Sequence, residues 1–284
     1  MDSALMKYCY EELVQSTDQF NKDGFIGKTQ FGKVYRGKLE SRNSRTTSSH
    51  NFGWLHRVKV IIHMALFIEY LHAHNPQYLI RNIDARHLML DEVIASSHLT
   101  DGYNLKVLDF SMFLGGTFQD LVKTPFHRFA FVGSFGYKDF PTLYRPNREL
   151  GPWSDIFAFG ILVLTLISKR AYDPEEEEFY HELHLHVWAE EQYERRIKRV
   201  GRNKRCPKYS KFSLVHKSLL SSKGFSGRDG FTLTKLAMQC VDNSFCERPS
   251  INEVVDSLLK LRTVRRHGSD LDIDHLLCLR KQCA

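Results

Sequence analysis

No two cysteines stand at C-x-x-C spacing. The six present (Cys9, Cys206, Cys240, Cys246, Cys278 and Cys283) are scattered through 284 residues. That excludes a zinc ribbon and a small disulfide scaffold, and free thiols point to a reducing compartment. No apolar run is long enough to cross a bilayer. The longest, Ile156 to Ile167, falls well short of the ~20 residues a spanning helix needs. Met1-Asp2-Ser3 opens without a basic stretch and apolar core, so no secretory signal is expected. Asp2 stands where N-myristoylation requires glycine. There is no internal repeat.

The composition is that of an ordinary folded chain, with 42% hydrophobic and 26% charged residues. Forty Lys/Arg against 33 Asp/Glu leave +7, a modest excess for a dedicated nucleic-acid binder. The spacing of Leu5, Tyr8, Leu13 and Phe20 predicts a short helix within residues 1–20. Phe25-Ile26 and Val34-Tyr35, punctuated by Gly27, Gly32 and Gly37, predict a hairpin over 24–39. Residues 40–51 are polar and offer no core. From Trp54 the apolar residues recur at three and four, through Val58, Ile61, Ile62, Ala65, Ile68 and Leu71. That predicts an amphipathic helix ending near His72–His74. Leu88-Met89-Leu90 and Leu105–Leu108 predict short strands. Residues 155–168 predict a buried helix, 179–199 a helix running from acidic to basic, and 231–242 and 251–262 two more. Ser250 with Glu253 forms a capping-box pattern. The tail beyond Arg262 is polar and expected to be loosely ordered. Residues 195–211 carry nine Lys/Arg. This run is a nuclear-import or nucleic-acid pattern, but it lacks interleaved aromatics that would stack bases. It therefore reads as a solvated surface loop.

Chemistry enters with Ile26-Gly27-Lys28-Thr29-Gln30-Phe31-Gly32-Lys33-Val34-Tyr35. Glycines in a tight hairpin let backbone N–H groups approach phosphate oxygens, although many hairpins share that feature. Further along stand Tyr70-Leu71-His72, Ile80-Arg81-Asn82, Leu88-Met89-Leu90-Asp91, Asp109-Phe110-Ser111, Gly133-Ser134-Phe135-Gly136-Tyr137, Ser154-Asp155-Ile156-Phe157-Ala158-Phe159-Gly160 and Arg248-Pro249-Ser250. In this order they resemble the protein kinase family, of the plant receptor-like and receptor-like cytoplasmic type. Tyr10 to Phe20 is similar to the segment leading into the kinase domain there.

The resemblance implies an α+β, protein kinase-like fold with a mostly helical C-terminal lobe and an incomplete β N-lobe. It implies a lead-in at 1–23 and a kinase-like domain at 24–262. That domain divides into an N-lobe remnant 24–39, a polar joint 40–51 and a C-lobe 54–262, with a polar tail at 263–284. It also sets what the chemistry needs: a glycine loop over the phosphates, a strand lysine, a catalytic Asp, and an Asn and an Asp for Mg²⁺.

Against that pattern the sequence is degenerate. The glycine loop keeps Ile26, Gly27, Gly32 and Val34, but Thr29 replaces its second glycine, and a Cβ resists the close phosphate approach. Arg81 follows Gly27 by only 54 positions, far fewer than the family uses, and the strand lysine is missing. Lys59 belongs by pattern to the helix before the catalytic loop and reads as a solvated lysine. Asn82 replaces the catalytic Asp, and an amide is no proton acceptor near neutral pH. Asp84 replaces the family's lysine and inverts the charge. His87 replaces the metal-holding Asn, a poor exchange for a hard cation. Asp109 survives as a vestigial metal position. Asp139-Phe140-Pro141 replaces Ala-Pro-Glu, leaving Arg248 without the family's glutamate, so it must find another partner or be exposed. Asp155 matches the aspartate that caps the catalytic-loop backbone in the family.

The resulting expectation is an inactive Ser/Thr kinase homologue, a binding or scaffold module in plant signalling or immunity. ATP and Mg²⁺, the family's cofactors, are not expected to bind. Protein partners are expected, an active kinase or an immune receptor among them, with no nucleic acid and no transmembrane segment. The expected location is the cytoplasm, with peripheral attachment at the plasma membrane as the alternative. A weakly active Ser/Thr kinase and a shortened gene product without selected function are the competing readings.

Overall fold

The computed structural model describes residues 10–29, 32–36, 52–81, 83–93, 102–108, 113–115, 137–139, 151–170, 184–201 and 212–283. The chain divides into two compact units, Met1–Asn51 and Phe52–Ala284.

In the first unit, helix α1 (Tyr10–Ser16) stops four residues before Phe20, and the part of the expected helix before Tyr10 lies outside the described residues. Asp18, Gln19 and Phe20 all take left-handed backbone angles, which ends the helix sharply. Strands β1 (Phe25–Thr29) and β2 (Gly32–Tyr35) form the expected hairpin. They pair antiparallel, Gly27 opposite Val34 and Thr29 opposite Gly32, with an irregularity between Phe25 and Gly27. The β-branched Thr29 is thus a ladder residue, where the family's pattern would place a loop glycine. Phe20 and Phe25 both meet the Tyr35 ring edge-on, at 5.4 and 5.6 Å between centroids. Tyr10 and Leu13 remain exposed.

The second unit is built on helix α2 (Trp54–His72). Its buried residues include Trp54, Val58, Ile61, Ile62, Met64, Ala65 and Ile68. They occupy more than one face, so α2 is a central helix rather than a surface one. The other buried helix is α3 (Pro152–Ser168), with Pro152 in its first turn and Lys169 closing it in the left-handed conformation. Proline at that position loses no helical hydrogen bond. Helix α4 spans Leu185–Gly201, α5 Gly227–Cys240 and α6 Ile251–Leu259. Helix α3 packs against α2, α4 and α5, and α2 also packs against α6. Gly160 makes the α3–α5 approach close: a Cβ there would stand 2.7 Å from both Cys240 Cβ and Val241 Cγ1. The capping box at α6 forms as the sequence indicates, Ser250 and Glu253 each receiving the other's backbone N–H.

The β content of this unit is small. Strands β3 (Tyr78–Leu79) and β6 (Leu114–Gly115) make a two-residue pair, and β4 (Leu88–Val93) and β5 (Gly102–Val107) a longer antiparallel ribbon. The described strands form three two-stranded sheets. The mostly helical architecture with little sheet matches the α+β expectation.

Three expectations need correction. The tail 263–284 is not loosely ordered. Helices α7 (Arg262–Arg266) and α8 (Ile273–Cys283) occupy most of it, and Leu271 and Ile273 are buried at 0% and 2% exposure. Trp54 Nε1 donates to Thr263 Oγ1 at 3.0 Å, His63 Nε2 lies 2.9 Å from the Leu271 carbonyl, and Arg280 reaches Glu69 at 2.8 Å. A few well-placed apolar anchors suffice to dock a polar segment, so its composition misled. Lys59 lies on α2 as expected but is buried, not solvated. Burial pushes its ammonium below the ordinary lysine range, partly offset by Asp272. Finally, the basic run begins inside α4, which continues to Gly201, rather than in a loop.

Candidate functional site

The segment that leaves α2 and turns back through β3 is organised by one buried carboxylate. Asp155, in the first turn of α3, is 1% exposed. Its Oδ2 accepts the Ile80 N–H at 2.9 Å and lies 3.1 Å from His72 Nε2, while Oδ1 accepts the Arg81 N–H at 2.9 Å. The capping role expected for Asp155 is therefore present. It holds Arg81 at φ +66°, a conformation costly for a residue with a Cβ unless its surroundings fix it. Burial lowers the pKa of the Arg81 guanidinium, and Asp155 counters that.

Three residues on, Asp84 is 2% exposed. Its Oδ1 accepts the Arg86 N–H at 2.9 Å, and its Oδ2 accepts Arg86 Nε and a terminal guanidinium nitrogen at 3.0 and 2.8 Å. The His87 N–H donates to the Asp84 carbonyl at 3.0 Å. Asp84 thus caps a single turn of tight helix over Ala85–His87. The inverted charge noted in the sequence is matched inside the loop by a guanidinium two residues away. Tyr137 OH lies 3.3 Å from the Ala85 amide and 3.3 Å from Thr165 Oγ1, tying the turn to α3. Burial, reinforced by the nearby Asp84 charge, pushes the Tyr137 phenol up to about 12. The His87 side chain is 1% exposed, and its carbonyl accepts the Leu108 N–H at 2.7 Å, joining the turn to the end of β5.

Arg248 answers the question that its sequence context raised. It is neither exposed nor unpaired. Its guanidinium donates to Asp139 Oδ2 at 2.6 Å and Oδ1 at 2.9 Å, with both side chains at 2% exposure or less. It also donates to the carbonyls of Asp242 and Trp153 and lies over the Phe157 ring. The acid comes from the first position of Asp139-Phe140-Pro141, two residues before the place where the family carries its glutamate.

Of the residues singled out from sequence, Asp84 and His87 come together here with Asp155, Arg81 and Tyr137. Asn82 and Asp109 lie outside the described residues. Gly27 and Gly32 are backbone positions of the hairpin in the first unit, as are Ile26 and Val34. Sequence reasoning missed the Asp84–Arg86 pair, for which the acid-x-Arg spacing was the available signal, and the contacts of Tyr137. Among the described residues, no group of three or more His, Cys, Asp and Glu is placed to hold a metal ion. Asp84, with both oxygens engaged, and the buried imidazole of His87 do not suit Mg²⁺, which prefers accessible oxygen ligands.

A buried, mostly helical scaffold, a carboxylate-capped loop and a buried Arg–Asp anchor fit a protein kinase-like C-terminal lobe, and comparison with known proteins agrees. The pseudokinase domain of BIR2, an immune regulator of the RLK/Pelle family, superposes with a TM-score of 0.55 at 15% identity, covering 93% of this chain and 91% of that one. The chain has the protein kinase-like fold. No protein-family model matches the sequence. Its homologues are plant receptor-like and receptor-like cytoplasmic kinases. Chitin elicitor receptor kinase 1 of Physcomitrium patens is 30% identical over 140 residues, 48% of this chain and 19% of that protein. The proline-rich receptor-like protein kinase PERK13 of Arabidopsis thaliana is 24% identical over 325 residues, 91% of this chain and 41% of that protein. The serine/threonine-protein kinase BIK1 of Arabidopsis thaliana is 26% identical over 236 residues, 81% and 51%. The chain thus spans about half or less of the length of these relatives. Among the described residues, no helix is long and apolar enough to cross a membrane.

Proposed function

We propose that this chain is a catalytically inactive Ser/Thr kinase homologue that acts as a protein-binding or scaffold module in plant signalling or immunity. The observation that carries the reading is Asp84. The family places a lysine there to meet the transferred phosphoryl group; here a carboxylate stands in its place, buried and committed to Arg86. A residue used this way supports the loop and is unavailable to a substrate. The sequence adds Asn82 in place of the base, His87 in place of a metal ligand, Thr29 in the glycine loop and the short interval from Gly27 to Arg81. The elements that catalysis shares with folding, Asp155 and the Arg248 anchor, are kept. A relative of the same fold, BIR2, is described as a pseudokinase domain and an immune regulator, which supports a role exercised through protein partners.

Two measurements test this. Thermal shift and calorimetric titration of the full chain with millimolar ATP and Mg²⁺ should give no saturable response. Radiolabelled transfer to a generic basic protein should stay at the no-enzyme blank for the parent chain. It should also do so for Asn82→Asp combined with His87→Asn, because parts that act as a unit are not restored singly. Transfer by the parent above the blank would overturn the proposal and favour the weakly active kinase.

A further inference from the structure

Helix α7 has a cationic outer face. It buries Thr263 and Val264, with Leu261 buried just before it. Arg262, Arg265 and Arg266 are exposed. At i, i+3 and i+4 they share one face, with Cβ atoms about 5–6 Å apart. From Ser257 to Ser269 the chain has four Lys/Arg and no Asp or Glu, so nothing in that stretch offsets them. The neighbouring acids are engaged elsewhere. Asp229 is 2% exposed, and its oxygens accept the Arg262 and Thr263 backbone N–H groups at 3.0 and 2.7 Å. Asp270 lies 3.1 Å from His267 Nδ1, and Asp256 receives Arg280 at 3.2 Å. Among the described residues, none of the three arginine side chains has an ion-pair partner. Two more cations border the face. The Thr263 hydroxyl lies 3.1 Å from the Gly224 carbonyl and 2.7 Å from Asp229 Oδ2. These contacts bring the exposed Lys223 and Arg228, each next in sequence to a contacting residue, up to α7. Helix stability does not explain the arrangement. Cations in a last turn suit the helix dipole, but Arg262 is the first residue of α7, where the dipole disfavours it. Like charges at i,i+3 and i,i+4 also repel one another.

We infer that, within the protein-binding role proposed above, this face of α7, flanked by Lys223 and Arg228, binds a phosphorylated serine or threonine in an acidic segment of a protein partner. Four of the five cations are arginines. A guanidinium fork meets two phosphate oxygens at once and stays charged at any physiological pH. Three forks within little more than one helical turn are close enough to share a single dianionic group. The buried Asp229 holds the start of α7 from beneath, so the surface is set before a ligand arrives, which lowers the cost of binding. A bilayer is the poorer fit. Neither α7 nor residues 223–228 present an exposed large apolar side chain to insert at the headgroup boundary. A single-stranded nucleic acid fits less well too, because stacking on aromatics supplies much of that binding. The aromatic residue here, Phe225, is turned edge-on against Trp54 at 4.9 Å between centroids.

The test is fluorescence polarisation of the full chain with two labelled peptides. Both carry one acidic sequence around a central serine, and one is phosphorylated on it. The phosphopeptide is expected to bind about tenfold more tightly, and raised salt should weaken its binding. Arg262→Gln, Arg265→Gln and Arg266→Gln should each lower its affinity about fivefold, and the three together about a hundredfold. Changing the same three residues to Lys keeps the charge but not the forks, and should recover only part of the loss. The comparison of the two peptides uses the parent chain and stands even where a variant fails to fold. Equal affinity for the two peptides, no binding of the phosphopeptide, or undiminished binding by a folded triple-Gln variant would each overturn the inference. So would tighter binding to vesicles containing roughly 30% phosphatidylserine than to the phosphopeptide. Any of these failures leaves the inactive-kinase reading standing on Asp84. Phosphoryl transfer by the parent chain would overturn that reading and leave these binding outcomes unchanged.

Discussion

Replacing Asp139 by Ala removes the carboxylate that, among the described residues, pairs with a guanidinium almost wholly inside the protein. Arg248 would keep the carbonyls of Asp242 and Trp153 at 2.8 and 3.0 Å and the face of Phe157. It would lose two charge-assisted bonds at 2.6 and 2.9 Å. Stripping one partner from a buried pair costs ~3–5 kcal/mol, chiefly because the remaining charge is left uncompensated. With two acceptors and a ring still in place, about 3 kcal/mol is the expected loss. All three tryptophans (Trp54, Trp153, Trp188) lie in the unit that begins at Phe52. Their fluorescence during urea unfolding therefore reports that unit. With a slope of ~2–3 kcal/mol per molar urea, the midpoint should fall by about 1 M. The double variant Asp139→Ala/Arg248→Met should be less damaged than Asp139→Ala alone, since it removes the orphaned charge as well. A loss below about 1 kcal/mol for the single variant would refute the anchor, as would strict additivity in the double.

Asp84→Lys, which restores the family's residue, should destabilise the fold by about 3 kcal/mol by burying a second cation beside Arg86 and removing a cap; an unchanged melting temperature would count against the structural role given to Asp84. Gly160→Ala should lower stability by ~1–2 kcal/mol despite the better helix former, because its methyl meets Cys240 and Val241; a stabilised variant would show that α3 and α5 separate freely. His186 should make the protein acid-sensitive. Burial first, then the neighbouring His184, lowers its pKa from 6.5 to about 4, with Asp139 opposing and Arg248 adding to the fall. Between those values the unfolded chain takes up a proton that the native state refuses, so stability falls as pH drops through this window. The effect is at most about 3 kcal/mol. His186→Leu should flatten that part of the stability–pH curve, and an unchanged slope would remove His186 as its cause.

Much of the scaffold was legible because its signals are local. The period of apolar residues from Trp54 to Leu71 marked α2 to its last residue. The Ser250–Glu253 pattern marked the start of α6, and Asp155 could be assigned its capping role from the motif around it. The parts that were not legible depend on meetings far apart in the chain. Nothing near Arg248 in the sequence indicates that an acid 109 residues away reaches it. Lys59 reads as solvated because its neighbours on α2 do not reveal that the C-terminal segment covers that face. The tail itself is read as loose because helix and burial there rest on Leu271, Ile273 and a few polar contacts to α2, not on a strong periodic stripe. At the site, the substitutions at Asp84 and His87 were visible as losses. Their compensation, Arg86 on one carboxylate and a buried turn pinned by Tyr137, emerges only once the loop is folded.

The covering of α2 by the chain's last helices has a consequence for how the protein is made. Trp54 and its hydrogen-bond partner Thr263 are 209 residues apart. At the ~5–20 residues per second of synthesis, roughly 10–40 s pass between their emergence. Throughout that interval one of the most apolar helices in the chain has been synthesised and its cover has not. Such a nascent chain is a natural client for a holdase chaperone. Translation that stalls or terminates shortly before residue 263 would release a product with the greater part of its core sequence and an open flank along α2, a species prone to aggregate rather than to fold.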